Sequence, residues 1–404
     1  MKKSILLFLA CLSPALFAEE IRMPSLAFPS TAGNGLGGPH VAYTDGIYSL
    51  FVNPAALQWS NQGSILELST ALIGPLDKFM KAGTDTFGAV GNMQDSFGGD
   101  GSDNPFSSLL DIIDGGKLPL GVDLRGPLSV GYTANGLGFG LFSRVFADVR
   151  IIGIDVDAAA YVDLMMPFGM SFNVLKLEDH ELAAGFVLKP FVRATGSIDV
   201  SALDLVDDID VMSNIAVPLM FGVGSDLGLM YRFKRDLTAG LTIGDVYTSG
   251  AKVSDINGTS PNNTYRVPLS VNLGAAYTFR LTNVWKTAPR VLQSAYAAAM
   301  IDWSRMNNIF SWNDRIHRNP ILDLGFGLEF GFFNFLKLRA GLHDMLPSIG
   351  LGLEPKVFKF NIAMYGKELG NEPGINSTMA VDLSIAFRLD TKKRTWPWSK
   401  PFIK

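Results

Sequence analysis

Large apolar side chains alternate with small or polar ones along much of this chain. The clearest case is 321–330, ILDLGFGLEF, where one face carries Leu322, Leu324, Phe326, Leu328 and Phe330. The opposite face carries Asp323, Gly325, Gly327 and Glu329. Segments 270–279, 335–342 and 380–389 repeat this period of two, which indicates a β-strand. Their length suits strands that cross a membrane at a tilt, which need about 9–11 residues.

The same pattern predicts a series of strands between residues 64 and 389. They are 64–73, 127–134, 137–147, 158–166, 168–176, 182–192, 219–233, 236–248, 266–279, 292–303, 321–330, 335–342, 347–353, 356–365 and 378–389. Bacterial single-chain barrels use even strand numbers. Joining 158–166 and 168–176 across Met166-Pro167 gives an even set of about 14 strands, since proline is tolerated at a bulge or strand start.

Two explanations fit this alternation. A soluble antiparallel sheet with one wet face alternates in the same way. The strand charges, however, lie opposite the large apolar residues, as expected if a charge facing lipid costs about 2–4 kcal/mol. The composition is 48% hydrophobic and 18% charged with 42 glycines, against roughly 25% charged in soluble domains. We therefore predict an all-β protein, a transmembrane antiparallel β-barrel.

The predicted connections fall into two kinds. Short ones, such as Asn135-Gly136 and Lys234-Arg235, alternate with longer, mostly polar ones. The long set is 74–126, 148–157, 193–218, 249–265, 304–320, 343–346 and 366–377. Short periplasmic turns and long extracellular loops are the asymmetry expected of an outer-membrane barrel.

Both ends of the chain carry features related to export and membrane insertion. Residues 1–18 read as a signal peptide with Lys2-Lys3, an apolar stretch and a small residue, Ala18, before the cleavage point. Lipoprotein processing at Cys11, the single cysteine, is the alternative. The basic tail 390–404 extends past Phe387, although many barrels end in an aromatic residue that the barrel-assembly machinery recognises. We expect that machinery and outer-membrane lipids as partners.

Residues 19–63 do not alternate, and here a family resemblance enters. The stretch GLGGPHVAYTDGIYSLFVNPAAL (35–57) resembles the N-terminal hatch of FadL-type outer-membrane transporters. Paired glycines, an acidic residue and Asn-Pro-Ala follow in the family's order at Gly37, Gly38, Asp45, Asn53, Pro54 and Ala55. Pro39 and the lone acid Asp45 depart from the usual pattern. PorV and TraF-like proteins are related branches with other roles.

The resemblance implies a barrel (64–389) plugged by a hatch (19–63) whose movement opens a route through the wall. It implies uptake of small hydrophobic ligands such as long-chain fatty acids. The alternative is a PorV-like barrel that binds or assembles protein partners. We expect charged lumen-facing side chains to anchor the hatch, with candidates Glu329, Lys337, Arg339, Asp382 and Arg388.

The long loop 74–126 contains apolar residues at helical spacing, notably Leu76, Phe79 and Met80. They could line an extracellular ligand site, or they could only pack the loop onto the barrel rim.

The sequence gives little indication of catalysis, metal binding or nucleic-acid binding. The glycines at 33, 35 and 38 match a dinucleotide motif without the strand and helix it requires. Four dispersed histidines predict no metal or cofactor, nothing predicts a hydrolase nucleophile, and a net charge of −4 argues against nucleic acid.

Overall fold

The computed structural model describes residues 20–22, 25–44, 46–74, 117–152, 155–201, 218–255, 264–287, 289, 292–307 and 318–388. The predicted signal peptide, the tail 390–404 and most of loop 74–126 lie outside these ranges. Within them, one short helix, α1 (Thr31–Gly35), and two 3₁₀ turns, Gly46–Leu50 and Pro54–Gln58, precede the main sheet. No helix in the described ranges is long and apolar enough to cross a membrane.

Two short strands, β1 (Glu20–Arg22) and β10 (Thr264–Arg266), pair with each other in parallel. The other strands form a single antiparallel sheet that closes on itself, because β3 pairs with both β2 and β4. These strands are β2 (Gly63–Gly74), β3 (Lys117–Ala134), β4 (Leu137–Ile152), β5 (Asp155–Met165), β6 (Phe168–Lys176), β7 (His180–Ser201), β8 (Pro218–Phe233), β9 (Leu237–Asp255), β11 (Ser270–Arg280), β12 (Tyr296–Trp303), β13 (Leu324–Phe332), β14 (Leu336–His343), β15 (Leu346–Leu353), β16 (Phe358–Glu368) and β17 (Ser377–Arg388).

Strands β5 and β6 are two parts of one barrel strand. Both lie between β4 and β7, and the register on either side of Met166-Pro167 is continuous with both neighbours. The Met166 amide still donates to Pro190 O at 2.9 Å, and Gly140 N donates to Pro167 O at 3.1 Å. The predicted merger across Met166-Pro167 is therefore confirmed, and the barrel has 14 strands.

The two faces of the wall differ as the alternation predicted. In β13, Phe326, Leu328 and Phe330 are 40%, 46% and 43% exposed on the outside, while Glu329 is 2% exposed. In β17, Leu383, Ile385 and Phe387 face outward, and Asp382 is fully buried. The outer surface is thus an apolar belt, and charged side chains point into the lumen.

Several predicted boundaries were wrong, mostly because paired strands extend past the apolar belt. Residues 117–126, predicted as loop, belong to β3, where the register shift at Gly126-Pro127 hides the alternation. The predicted loop 148–157 is largely strand, because residues 148–152 of β4 pair with β5. Arg150 Nε lies 2.9 Å from Asp148 Oδ2 there. Residues 193–201, also predicted as loop, extend β7. Conversely, 321–323, predicted as strand, lie in a 3₁₀ turn, Pro320–Asp323, capped by Asn319.

The connections sort to two ends of the barrel. One end, the short-turn end, carries 135–136, 177–179, 234–236, 281–295, 333–335 and 354–357. At the opposite, long-connection end the strand ends are joined by 75–116, 153–154, 202–217, 256–269, 304–323, 344–345 and 369–376, of which the structure describes 264–269, 304–307, 318–323, 344–345 and 369–376. Two of these, 153–154 and 344–345, are as short as the turns at the other end. The connection 281–295 is long although it lies at the short-turn end, and the other members follow the predicted asymmetry.

Candidate functional site

Residues 25–44 and 46–62, named here the lumen segment, lie inside the barrel. Its side chains and backbone contact inward-facing residues of strands around the whole wall. Examples are Asn34 with Asp382 of β17, Trp59 with Glu181 of β7, and Thr242 of β9 with Val52. The apolar residues Leu26, Phe28, Ile47, Leu50 and Leu57 are at most 1% exposed. A segment that touches opposite walls in this way spans the lumen.

The Asn53-Pro54-Ala55 turn is fixed by its own side chain and by the wall. Asn53 is fully buried, and its Oδ1 accepts a hydrogen bond from Ala55 N at 3.1 Å. Its Nδ2 donates to Val41 O at 2.9 Å and to Leu229 O of β8 at 3.2 Å. A Cβ added at wall residue Gly228 would lie 2.2 Å from Asn53 Oδ1. The turn therefore packs directly on wall backbone, where only glycine leaves room.

The paired glycines end α1 in a backbone shape that other residues rarely adopt. Gly37 and Gly38 have φ of 86° and 118°. A Cβ on Gly37 would approach the Leu342 carbonyl oxygen to 2.6 Å. The structure thus places Gly37 and Gly38 against the wall, as it does the Asn-Pro turn. The other predicted site residues, Asp45, Leu76, Phe79 and Met80, lie outside the described residues.

Asp382 is the anchor of α1. Its carboxylate accepts hydrogen bonds from Thr31 Oγ1 at 2.9 Å and Asn34 Nδ2 at 2.6 Å. It also pairs with Arg125 Nη2 at 2.5 Å, and Arg125 Nη1 donates to Pro29 O. Both charged side chains are fully buried. Because a buried charge is tolerated only when paired and hydrogen-bonded, this pair fixes α1 to β17 and β3.

A histidine and an aspartate hold the next turn of the lumen segment. His40 Nδ1 pairs with Asp302 of β12, and His40 Nε2 lies 2.9 Å from Leu36 O. Asp302 also accepts from Val41 N at 2.7 Å. The predictions missed this pair, since His40 was considered only as a metal ligand and Asp302 stands in the short strand AMIDW without another signal.

A third anchor joins two tyrosines to a charged cluster near the short-turn end. Glu329 accepts from Tyr43 of the lumen segment at 2.7 Å, from Tyr296 at 2.5 Å and from Arg339 at 2.7 Å. Arg339 also pairs with Glu354 at 2.7 Å. Burial raises the pKa of Glu354, but its neighbouring cations, chiefly Lys359, Lys337 and Arg339, outweigh burial and lower it.

The five predicted anchor residues differ in how they contact the lumen segment. Asp382 and Glu329 bond the lumen segment directly. Arg339 and Lys337 act on it through the carboxylates that they pair with. Arg388 lies at the end of β17, and its Nε has no hydrogen-bond partner among the described residues. Arg125, missed entirely, sits in the part of β3 that was predicted as loop.

Two cavities lie on either side of the lumen segment. The upper cavity, about 1060 Å³, opens toward the long-connection end, and the lower cavity, about 440 Å³, toward the short-turn end. Four residues of the lumen segment line both: Ser30, Gly33, Pro39 and Val52. At these residues the lumen segment is the septum between the two spaces.

The upper cavity combines aromatic walls with ionic side chains. Phe28, Phe51, Phe146 and Tyr161 supply apolar surface. The ammonium of Lys367 lies 5.3 Å from the centre of the Phe146 ring. Among the described residues, no carboxylate oxygen lies within 4.0 Å of that ammonium. This cavity can therefore accept an apolar molecule with one anionic group.

These features define a class of protein: a closed 14-stranded barrel with an apolar outer belt and an internal septum. No family model matches the chain. No curated protein matches it either.

Solved structures of similar shape include a Pseudomonas putida toluene transporter, TodX, at 12% identity, 91% and 99% coverage of the two chains, and TM-score 0.47. A Ralstonia pickettii toluene transporter, TbuX, matches at 11% identity, 90% and 99% coverage, and TM-score 0.44. A Pseudomonas aeruginosa FadL homologue matches at 11% identity, 91% and 99% coverage, and TM-score 0.41. What each of them carries is a property of that protein, because one fold hosts different functions.

Proposed function

We propose that this protein is an outer-membrane channel for the uptake of small hydrophobic molecules, with the lumen segment as its hatch. The observation that carries the proposal is the septum: the lumen segment separates an upper from a lower cavity within a single barrel. The long-connection end faces the cell exterior and the short-turn end faces the periplasm. Ligand enters the upper cavity and reaches the other side only when the hatch moves.

The outer belt supports the membrane location. Exposed Leu, Ile, Val and Phe residues recur on alternate positions of nearly every strand, while Arg125, Lys189 and Arg193 are at most 2% exposed and face the lumen. A lysine or arginine at the lipid face of a barrel costs about 2–4 kcal/mol at the midplane. The closed sheet also leaves no free strand edge in the hydrocarbon layer.

The upper cavity supports long-chain fatty acids as the substrate class. An alkyl chain can pack on Phe28, Phe51 and Phe146, and a carboxylate can pair with the Lys367 ammonium. A charge-assisted hydrogen bond of this kind contributes about 1.5–3 kcal/mol. A neutral hydrocarbon would gain only the apolar contacts.

The attachment of the hatch supports gated passage. Asp382, Asp302 and Glu329 each bind the lumen segment from a different strand. Movement of the hatch exchanges these bonds for water, so each costs little net energy once the site is wet.

Uptake into liposomes tests this function. The full chain is reconstituted into liposomes, and entry of labelled oleate is compared with entry of labelled sucrose. We expect oleate to enter faster than through protein-free membranes and sucrose to stay outside. A variant lacking residues 19–60 should admit both solutes, because the septum is gone. Absence of oleate uptake by both proteins would refute the channel, and a stoichiometric co-purifying protein would favour a PorV-like role.

In the same assay, Lys367→Gln tests the fatty-acid substrate. We expect it to slow oleate uptake about tenfold, the effect of losing one charge-assisted bond, while uptake of an uncharged analogue, oleyl alcohol, stays the same. Lys367→Arg keeps the charge and should retain most oleate uptake. Equal slowing of both ligands would contradict the pairing with a carboxylate.

A further inference from the structure

The lower cavity is lined by more cationic donors than carboxylates. Six cations line it, and three carboxylates: Arg232, Arg235, Arg280, Lys337, Arg339, Lys359, Glu67, Glu329 and Glu354. Arg280 is paired with Asp236 beside the cavity, and Arg232 and Lys337 have further partners of their own. The upper cavity is nearly balanced, with six cations (Arg144, Arg150, Lys189, Arg305, Arg318, Lys367) and five acids (Asp148, Asp226, Asp245, Asp344, Glu368).

Lys359 is the clearest of these donors. Its side chain is 15% exposed, and its ammonium lies 3.8 Å from Glu354, beyond hydrogen-bond distance. Glu354 already accepts from Arg339 at 2.7 Å and lies 3.1 Å from Lys337. An ammonium has three donors, and among the described residues none of those of Lys359 has a hydrogen-bond acceptor. A largely buried ammonium without an acceptor is a place where an anion would bind favourably.

We propose that the lower cavity is a binding site for an organic carboxylate, held by Lys359 together with Lys337. Leu36, Ala42 and Ala386 also line the cavity, so the hydrocarbon part of the ligand has an apolar surface to pack against. The volume of about 440 Å³ admits a short acyl chain or one end of a longer one. The proposal rests on the proposed function only for the direction of travel: the site receives the ligand after it has passed the hatch.

Strand β16 supplies a matched pair of lysines for the test. Lys359 and Lys367 are eight positions apart, so they point to the same, inner face. They lie in different cavities, with Lys359 in the lower and Lys367 in the upper one. A change at one leaves the other in place, and the two substitutions alter charge equally.

The probe is hexanoate, with 1-hexanol as its uncharged counterpart and inorganic phosphate as a second anion. Binding to the full chain in lipid nanodiscs is measured by titration calorimetry. We expect Lys359→Gln to weaken one class of hexanoate sites about tenfold or more, and Lys359→Arg to retain it. Lys367→Gln should leave that class intact. Heat-dependent gel mobility confirms that each variant is a folded barrel.

The outcomes separate this proposal from the proposed function. If Lys359→Gln leaves the affinity for hexanoate unchanged, the lower site is refuted, even when oleate uptake is normal. Binding lost with Lys359→Gln but no oleate uptake keeps the site and refutes the channel. Equally tight, Lys359-dependent binding of phosphate, or of 1-hexanol, overturns the assignment of a carboxylate ligand.

Discussion

At the scale of single residues, Asn53 connects two parts of the lumen segment and the barrel wall. The sequence predicted the turn, because asparagine before proline favours an extended residue and bonds its own backbone. It could not predict the partners Val41 and Leu229, since they depend on how remote segments pack. Replacing Asn53 by Ala removes the donor to both carbonyl oxygens. We expect the hatch to lose about 1–3 kcal/mol of local stability.

Limited proteolysis of the folded barrel measures that loss as faster cleavage within residues 25–62. Asn53→Asp should be cleaved at least as fast, because a carboxylate cannot donate to two carbonyl groups. Asn371→Ala, at an exposed position, serves as the control and should match the unmodified protein. Equal protection in all three variants would show that the Asn53 amide does not hold the hatch.

Glu354 gives a second residue-scale prediction, for the dependence of stability on pH. Despite burial, its cations lower the pKa of this carboxyl group in the folded protein. A lowered folded pKa means that the stabilisation is complete above the unfolded pKa of about 4.3 and is lost as the pH falls toward the folded pKa. Glu354→Gln should therefore unfold at lower urea than the unmodified barrel at pH 7, and the gap should shrink by pH 3.

Urea titrations of the refolded barrel at the two pH values measure this gap. Glu178→Gln changes an exposed acid in the turn before β7 and should leave the unfolding midpoint unchanged at pH 7. A gap for Glu354→Gln that stays constant between pH 7 and pH 3 would contradict the ionic stabilisation of Glu354.

At the scale of elements, the alternation predicted strands well inside the apolar belt and poorly outside it. β13 and β17 were read directly from their sequence because lipid and lumen demand opposite side chains. The outer parts of β4 and β5 were missed because charged residues cluster there, and Asp148, Arg150 and Asp157 lie on one face and pair with one another. The partners of the lumen-facing charges could not be predicted either. Alternation shows which face a residue lies on, but it does not show the register between strands that brings two charges together.

Two prolines in neighbouring strands of the wall lead to a prediction at the scale of elements. Pro167 faces Gly140, and Pro190 faces Met166, so two ladder hydrogen bonds lack their N–H donors. The variant Pro167→Ala/Pro190→Ala supplies both donors without altering the register. We expect the unfolding free energy to rise by about 1–3 kcal/mol, measured by urea titration.

Oleate uptake by the same variant tests where the ligand passes. We expect unchanged uptake, because the lower cavity lies inside the barrel, on the short-turn side of the lumen segment. Slower uptake in a more stable barrel would place the route through this part of the wall instead. A variant with lower stability would show that proline rigidity outweighs the missing bonds at this site.

At the scale of the whole molecule, the arrangement of two cavities around one septum predicts an electrical signature. Among the described residues, those that line both cavities all belong to the lumen segment. Deleting this segment joins the cavities into one water-filled lumen lined by charged side chains, as in open porin-type barrels. The wall pairs Arg125–Asp382 and Arg339–Glu329 do not need the hatch and remain to hold the strands.

We therefore expect the conductance of single barrels in planar bilayers to rise about tenfold or more on deletion of residues 25–62. The intact chain should show low conductance, and deletion of the tail 390–404 should leave it low, because the septum is untouched. Asn53→Ala should lie between, with brief openings that reflect a loosened hatch. A deletion variant that runs as a folded barrel on heat-modified gels yet stays closed would refute the septum and, with it, the hatch.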